Sequence, residues 1–222
     1  MANNPYDQYN GRDLEQEAWD RITLDDYKYL DKLYLAKLMG YTCGPMGFPV
    51  PKKDKYIVRP VINPMGLGLG ALTMEIEGDT DKYCVTGNTN LYIGYFWCEF
   101  FKGRHTSVDY HYGQQVLAVE GFKSGSTFMY WNKWQKVDVR VHLPPQLEGL
   151  AKRHPILNVE YVDGNPIEVH FRENADFCIP GMEEFIPVFE KYKGDKDPIP
   201  NKPGYTYYEY PDIHGRRGAW VK

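Results

Sequence analysis

No apolar run in this 222-residue chain approaches the roughly 20 residues that a membrane-spanning helix needs. Its hydrophobic fraction of 42% and aromatic fraction of 15% are those of a globular chain with a buried core, and no membrane partner is expected. The opening stretch "MANNPYDQYNGRDLEQEAW" lacks an apolar segment and carries acids, so it resembles neither a signal nor a transit peptide, and a cytoplasmic protein is expected. Cysteine is scarce: Cys43, Cys84, Cys98 and Cys178 stand far apart with no C-x-x-C pair, which leaves buried free thiols rather than zinc or redox chemistry. There is no excess of positive charge either. Net charge is −4 and the Lys and Arg residues are dispersed, which argues against a nucleic-acid backbone as the main partner but not against a nucleotide held by one or two cations. Internal repeats, low-complexity linkers and a convincing serine or cysteine triad are also absent.

What is present reads as alternating short elements. Residues 1–23 form a polar arm or short helix. From Leu24, "LDDYKYLDKLYLAKLMGY" places Leu30, Leu33, Tyr34, Ala36, Leu38 and Met39 at helical spacing, with Gly40 as the C-terminal cap. "KYIVRPVI" reads as a strand whose Pro60 favours an edge or an end, and "NPMGLGLGA" as a glycine-rich loop. "ALTMEIEG" and "NTNLYIGYFWCEFF" read as strands, and "RHTSVDYHYGQQVLAVEGF" as a hairpin turning at Gly113. "KSGSTFMYWNKWQKVDVRV" fits a loop over a strand, "PPQLEGLAKRHP" a short helix opened by proline, and "PGMEEFIPVFEKYKG" a last helix before a Pro/Tyr-rich tail. This order predicts an α+β fold with largely antiparallel sheets.

One stretch, "ILNVEYVDGNPIEVHFREN", concentrates ionisable groups. It reads as a hairpin around Asp163-Gly164-Asn165. If Val159 and Tyr161 share a face with Ile167, Val169 and Phe171, then Val159 opposes Val169 and Tyr161 opposes Ile167. That register puts Glu160 opposite Glu168, with His170 and Arg172 on the same face. Like charges directly opposed are destabilising and need a cation. Arg172 could serve, as could a divalent metal bound by hard carboxylate oxygens, and on the hairpin alone the metal stands level with the plain reading of a solvated outer face.

Three further features are weak singly. The glycine loop lacks the spacing of either common nucleotide fingerprint, yet its amides could fold over phosphates, and Arg59 just before it is placed to pair with phosphate oxygens. Lys32 on the predicted helix reads alone as an exposed partner of an acid. Glu99 ends a strongly apolar strand, where a carboxylate needs a partner or marks a strand leaving the core.

Taken in order, these pieces resemble the ATP-grasp superfamily over about Leu30 to Asp176. In that family a helix with "DK" precedes G-x-P-x-P, then a strand with a phosphate-binding lysine enters a glycine-rich lid, matched here by "LDKLYLAKLMGYTCGPMGFPVP" and "YIVRPVINPMGLGLGA". A strand ending in an acid follows, matched by "YFWCEFFKGRHTSVDY", and then "E…E-x-N-x-R", to which "VEYVDGNPIEVHFR" is similar with one change. The resemblance implies an ATP-grasp-like fold of two small α+β lobes with a nucleotide cleft between them: an arm over 1–23, an N-lobe over 24–98, a C-lobe over 99–190 and a C-terminal segment over 191–222. It implies ATP as cofactor with Mg²⁺, or Mn²⁺ in its place. Lys32 and Arg59 would contact phosphates, Gly66, Gly68 and Gly70 would form the lid, and Glu99 and Phe101 would line the adenine and ribose pocket. Glu160, Glu168 and His170 fall at the metal positions, and Arg172 at the residue that stabilises the transferred group, with Arg59 sharing catalysis.

Arginine stands at Arg59 where the family has lysine, and His170 where it has asparagine; imidazole suits softer metals. The family's N-terminal α/β domain has no match in the short arm, leaving the acceptor site elsewhere, shared with a partner or second copy, or missing. The implied activity is an ATP-dependent ligase joining an unknown carboxylate to an amine or similar nucleophile through an acyl phosphate. The alternatives are a non-catalytic nucleotide-binding or interaction protein and a small-molecule kinase. Arg216 and Arg217 in the tail read either as an anion site or as part of an aromatic segment packed on the core.

Overall fold

The computed structural model describes residues 4–9, 14–62, 68–75, 94–123, 131–211 and 215–222. Gly66, Cys84 and most of the expected strand before Gly94 lie outside these residues. The described residues form a mixed α+β fold with two antiparallel sheets. The smaller has the order β1-β4-β2-β3 and is built from β1 (Cys43–Pro45), β2 (Lys55–Pro60), β3 (Leu72–Glu75) and β4 (Tyr95–Glu99). The larger comprises β5 (His105–His111), β6 (Gln114–Phe122), β7 (Lys133–Lys136), β8 (Leu157–Val162), β9 (Asn165–His170), β10 (Glu184–Phe189), β11 (Thr206–Glu209) and β12 (Arg216–Val221). Its order is β11-β12-β10-β7-β6-β5-β8-β9.

Three short α-helices accompany the sheets: α1 (Leu14–Trp19), α2 (Lys32–Leu38) and α3 (Pro145–Arg153). No helix among the described residues is long and apolar enough to cross a membrane. The expected helix from Leu24 is divided. Tyr27–Leu30 is a 3-10 turn, and Asp31 starts α2 as its N-cap, its side chain accepting from Tyr34 N at 2.8 Å. Gly40, with φ +76°, follows α2 as the sequence predicts.

The larger sheet divides its faces by the period-2 rule. Val108, Tyr110, Val159, Tyr161, Val169 and Phe171 face one way into a core closed by Leu147, Leu150 and Ala151 of α3 and by Ala18, Leu30 and Leu35. The two tyrosine hydroxyls buried there pair with each other at 2.9 Å, and Tyr110 also reaches Val141 O, which removes the cost of burying an unpaired polar group. The buried Asp26 ties the segment before α2 to the end of α3: it accepts from Arg153, from His154 at 2.9 Å and from Thr23 at 3.0 Å.

The segment expected as a last helix is strand β10 instead. Pro187 cannot donate inside a helix, and Phe185 is buried between Trp134 of β7 and Val221 of β12, so tertiary pairing overrides local propensity. The tail likewise forms β11 and β12. Arg216 stacks 3.9 Å from the Tyr210 ring centroid and pairs with Asp176 at 2.9 Å, while Arg217 bonds Asp197 O at 2.7 Å. Both arginines serve the packing reading of the tail.

Candidate functional site

The hairpin β8–β9 turns on Asp163 and Gly164, both at positive φ (50° and 80°), as a tight two-residue turn requires. Val159 opposes Val169 and Glu160 opposes Glu168 as the alternation predicts, but Tyr161 opposes Pro166 rather than Ile167. Ile167 is the extra residue of a β-bulge between these pairs. Its carbonyl accepts from the Arg59 guanidinium at 2.9 Å, so the bulge docks the strand of the smaller sheet that carries Arg59 onto the acid-bearing hairpin.

The sequence-predicted residues then fall into one dense cluster and one separate group. Lys32 opens α2; its backbone N–H donates to Val61 O at 2.9 Å, just past β2, and its buried ammonium pairs with Glu168 at 2.9 Å. Glu160 pairs with His105 Nε2 at 3.1 Å. His170 Nε2 stands 3.6 Å from Glu168 and 3.8 Å from Glu160. Glu99 and Phe101 lie at the exit of β4: Glu99 accepts from Thr42 N at 2.9 Å and Phe101 packs edge-on against Tyr41. Gly68 and Gly70 lead into β3 at positive φ, and a Cβ on Gly70 would overlap the Tyr95 hydroxyl.

Two members of the cluster are not legible in the sequence. His105, on β5, is two residues from Ser107, which opposes Glu160, and its ring packs against Trp131 and Trp134 at 4.6 and 5.6 Å. Glu15, on α1, reaches His170 Nδ1 and Arg172 Nε, both at 2.6 Å. An acid-rich helix turn gives no signal for a contact spanning 157 residues.

The electrostatics follow from this packing. Burial raises the Glu15 carboxyl, but the His170 and Arg172 cations outweigh it and bring it down to about 2. Burial likewise disfavours a charged His170, and Glu15 overrides it, raising the imidazole to about 10. Glu160 is held well below the usual carboxylate range by His105 and His170 against the effect of burial. Arg59 is buried; its Nε has no hydrogen-bond partner among the described residues, although Glu168 and Glu160 are within electrostatic reach. A buried donor left unpaired is costly.

Cations therefore surround a carboxylate pair between two sheets. Among the described residues no three His, Cys, Asp or Glu side chains are arranged as a metal cluster. The opposed Glu160 and Glu168 supply the hard oxygens that Mg²⁺ prefers, and His170 faces carboxylates on both ring nitrogens.

No family model and no curated protein matches this sequence. Solved structures do. An L-amino acid ligase from Bacillus licheniformis superposes with a TM-score of 0.53 at 11% identity, over 93% of this chain and 70% of that one. N5-carboxyaminoimidazole synthetase from Staphylococcus aureus, solved with ADP, gives 0.50 at 12% identity, over 87% of this chain and 67% of that one. ATP-grasp ligase PsnB, solved with a minimal precursor, gives 0.46 at 12% identity over 68% of this chain, which spans only 54% of PsnB.

Proposed function

We propose that this chain, which has the ATP-grasp fold, is an ATP- and Mg²⁺-dependent ligase that joins a carboxylate to an amine or similar nucleophile. The observation that carries the reading is the convergence of Lys32 and Arg59 on the opposed Glu160 and Glu168, with Arg172 within electrostatic reach of Glu160 and the buried Arg59 Nε lacking an acceptor among the described residues. A carboxylate oxygen of the substrate attacks the γ-phosphorus, the bond to ADP breaks, and the nucleophile then displaces phosphate from the acyl phosphate.

In this proposal Glu160 and Glu168, with His170 beside them, would hold the metal, which would neutralise phosphate charge when bound. Lys32 leaves Glu168 for the phosphates, Arg59 offers Nε to the same anion, and Arg172 faces the transferred phosphoryl group. Gly68 and Gly70 cover the phosphates, and Glu99 and Phe101 border the adenine and ribose. Positioning and charge neutralisation supply the rate, with no side-chain nucleophile.

One observation favours a second reading, nucleotide binding without turnover: Glu15 already occupies Arg172 and His170. Incubation with ATP, Mg²⁺ and pooled amino acids separates the readings. ADP with free phosphate supports ligation, and ADP with a phosphorylated product supports a kinase. Binding with no ADP supports the second reading.

A further inference from the structure

The smaller sheet carries a pair of thiols that the proposed reaction does not use. Cys43 on β1 and Cys98 on β4 are directly opposed, so their side chains point to the same face, where both pack with Ala36, Phe96 and Ile57. Their place in the ladder follows from their neighbours. Glu99 N donates to Thr42 O at 2.9 Å and Met46 N donates to Tyr95 O at 3.1 Å. Bonded and non-bonded pairs alternate along an antiparallel ladder, so Cys43 and Cys98 occupy a non-bonded pair. Cα atoms at such a pair lie about 4.5 Å apart, inside the roughly 4.4–6.8 Å that a disulfide spans. Both thiols are free, and Cys43 lies close enough to affect the ionisation of Cys98.

We propose that Cys43 and Cys98 are a modification site: a two-electron oxidant of the disulfide class converts them to a cross-strand disulfide that staples β1 to β4 beside Glu99. With oxidised glutathione, the half-buried Cys43 loses its proton and attacks one glutathione sulfur, releasing the first reduced glutathione. Cys98 then attacks Cys43 in the mixed disulfide, releasing the second. Two protein thiols are oxidised and one glutathione disulfide is reduced, so the electrons balance. Burial raises both thiols, Cys98 to about 12, and the reaction quickens as pH rises because the thiolate is the attacking species. The staple fixes Thr42 on Glu99, already joined by Thr42 N to Glu99 Oε1 and Glu99 N to Thr42 O, both at 2.9 Å. This site does not depend on the ligase reading.

The test is peptide mapping of the full chain after exposure to oxidised glutathione at mildly alkaline pH and alkylation of the remaining thiols. The expected result is one peptide pair joined through Cys43 and Cys98, two hydrogens lighter than the reduced pair and separated again by dithiothreitol. Cys178→Ser leaves that bridge in place. Recovery of both thiols alkylated, a glutathione adduct retained on Cys43, or a bridge to Cys84 or Cys178 instead would overturn the proposal. The unmodified chain alone decides, so a misfolded variant cannot obscure the result.

Discussion

Replacing Glu15 with Gln removes the carboxylate that pairs with both His170 and Arg172 at 2.6 Å while keeping its size. The carboxyl falls from 4.5 to about 2 in the folded protein, and at about 1.36 kcal/mol per pH unit that shift corresponds to ~3 kcal/mol. Breaking a buried ion pair by deleting one partner costs roughly 3–5 kcal/mol, which gives the same scale by an independent route. Glu15→Gln should therefore lower stability by ~3 kcal/mol at pH 7, a fall in Tm of roughly 6–12 °C for a domain of this size. Denaturant unfolding and a thermal scan both measure it. A loss below about 1 kcal/mol would refute the buried pairing. In the ligase reading Arg172 must meet a phosphoryl group, so the same variant should bind Mg·ATP more tightly as it becomes less stable. A parallel loss of affinity would show that Glu15 supports the site rather than competing for it.

Asp26 is depressed from 3.8 to about 2, with Arg153, His154 and Thr23 outweighing the cost of burial. Its ionised form thus adds ~2 kcal/mol that is present above pH 4 and lost as pH falls toward 2. Asp26→Asn should lower stability at pH 7, and its deficit relative to the natural chain should shrink between pH 4 and pH 2 in parallel urea titrations. Gly164→Ala meets no atom within 4 Å but sits at φ +80°, so it should cost only the ~1–2 kcal/mol of a left-handed residue. Gly121→Ala should cost more in the same unfolding assay, because a Cβ there would lie 2.8 Å from Trp131 and Trp134.

The pairing of Glu160 with Glu168 is legible in the sequence because the apolar alternation of Val159, Tyr161, Val169 and Phe171 forces it. The bulge at Ile167 is not, since Pro166 can oppose Tyr161 as well as an isoleucine can, and only the tight Asp163-Gly164 turn decides between them. β10 escapes the helix and strand patterns for another reason. Its burial depends on β7 and β12, distant segments with no strong alternation of their own. Glu15 and His105 are invisible for the same cause, as each acquires its meaning from a partner on a strand far along the chain. The ion-pair cluster is a tertiary fact. The acid pair follows from the hairpin alternation, whereas the lysine and the arginines could be named only through the resemblance to the ATP-grasp order of motifs.

If Glu160 and Glu168 hold a metal-bound nucleotide, calorimetric titration of ATP with and without Mg²⁺ will register both carboxylates. Binding to the natural chain should depend on the metal and weaken at least about tenfold (~1.4 kcal/mol) in both Glu160→Gln and Glu168→Gln. Equal Mg·ATP affinity in all three proteins would contradict it.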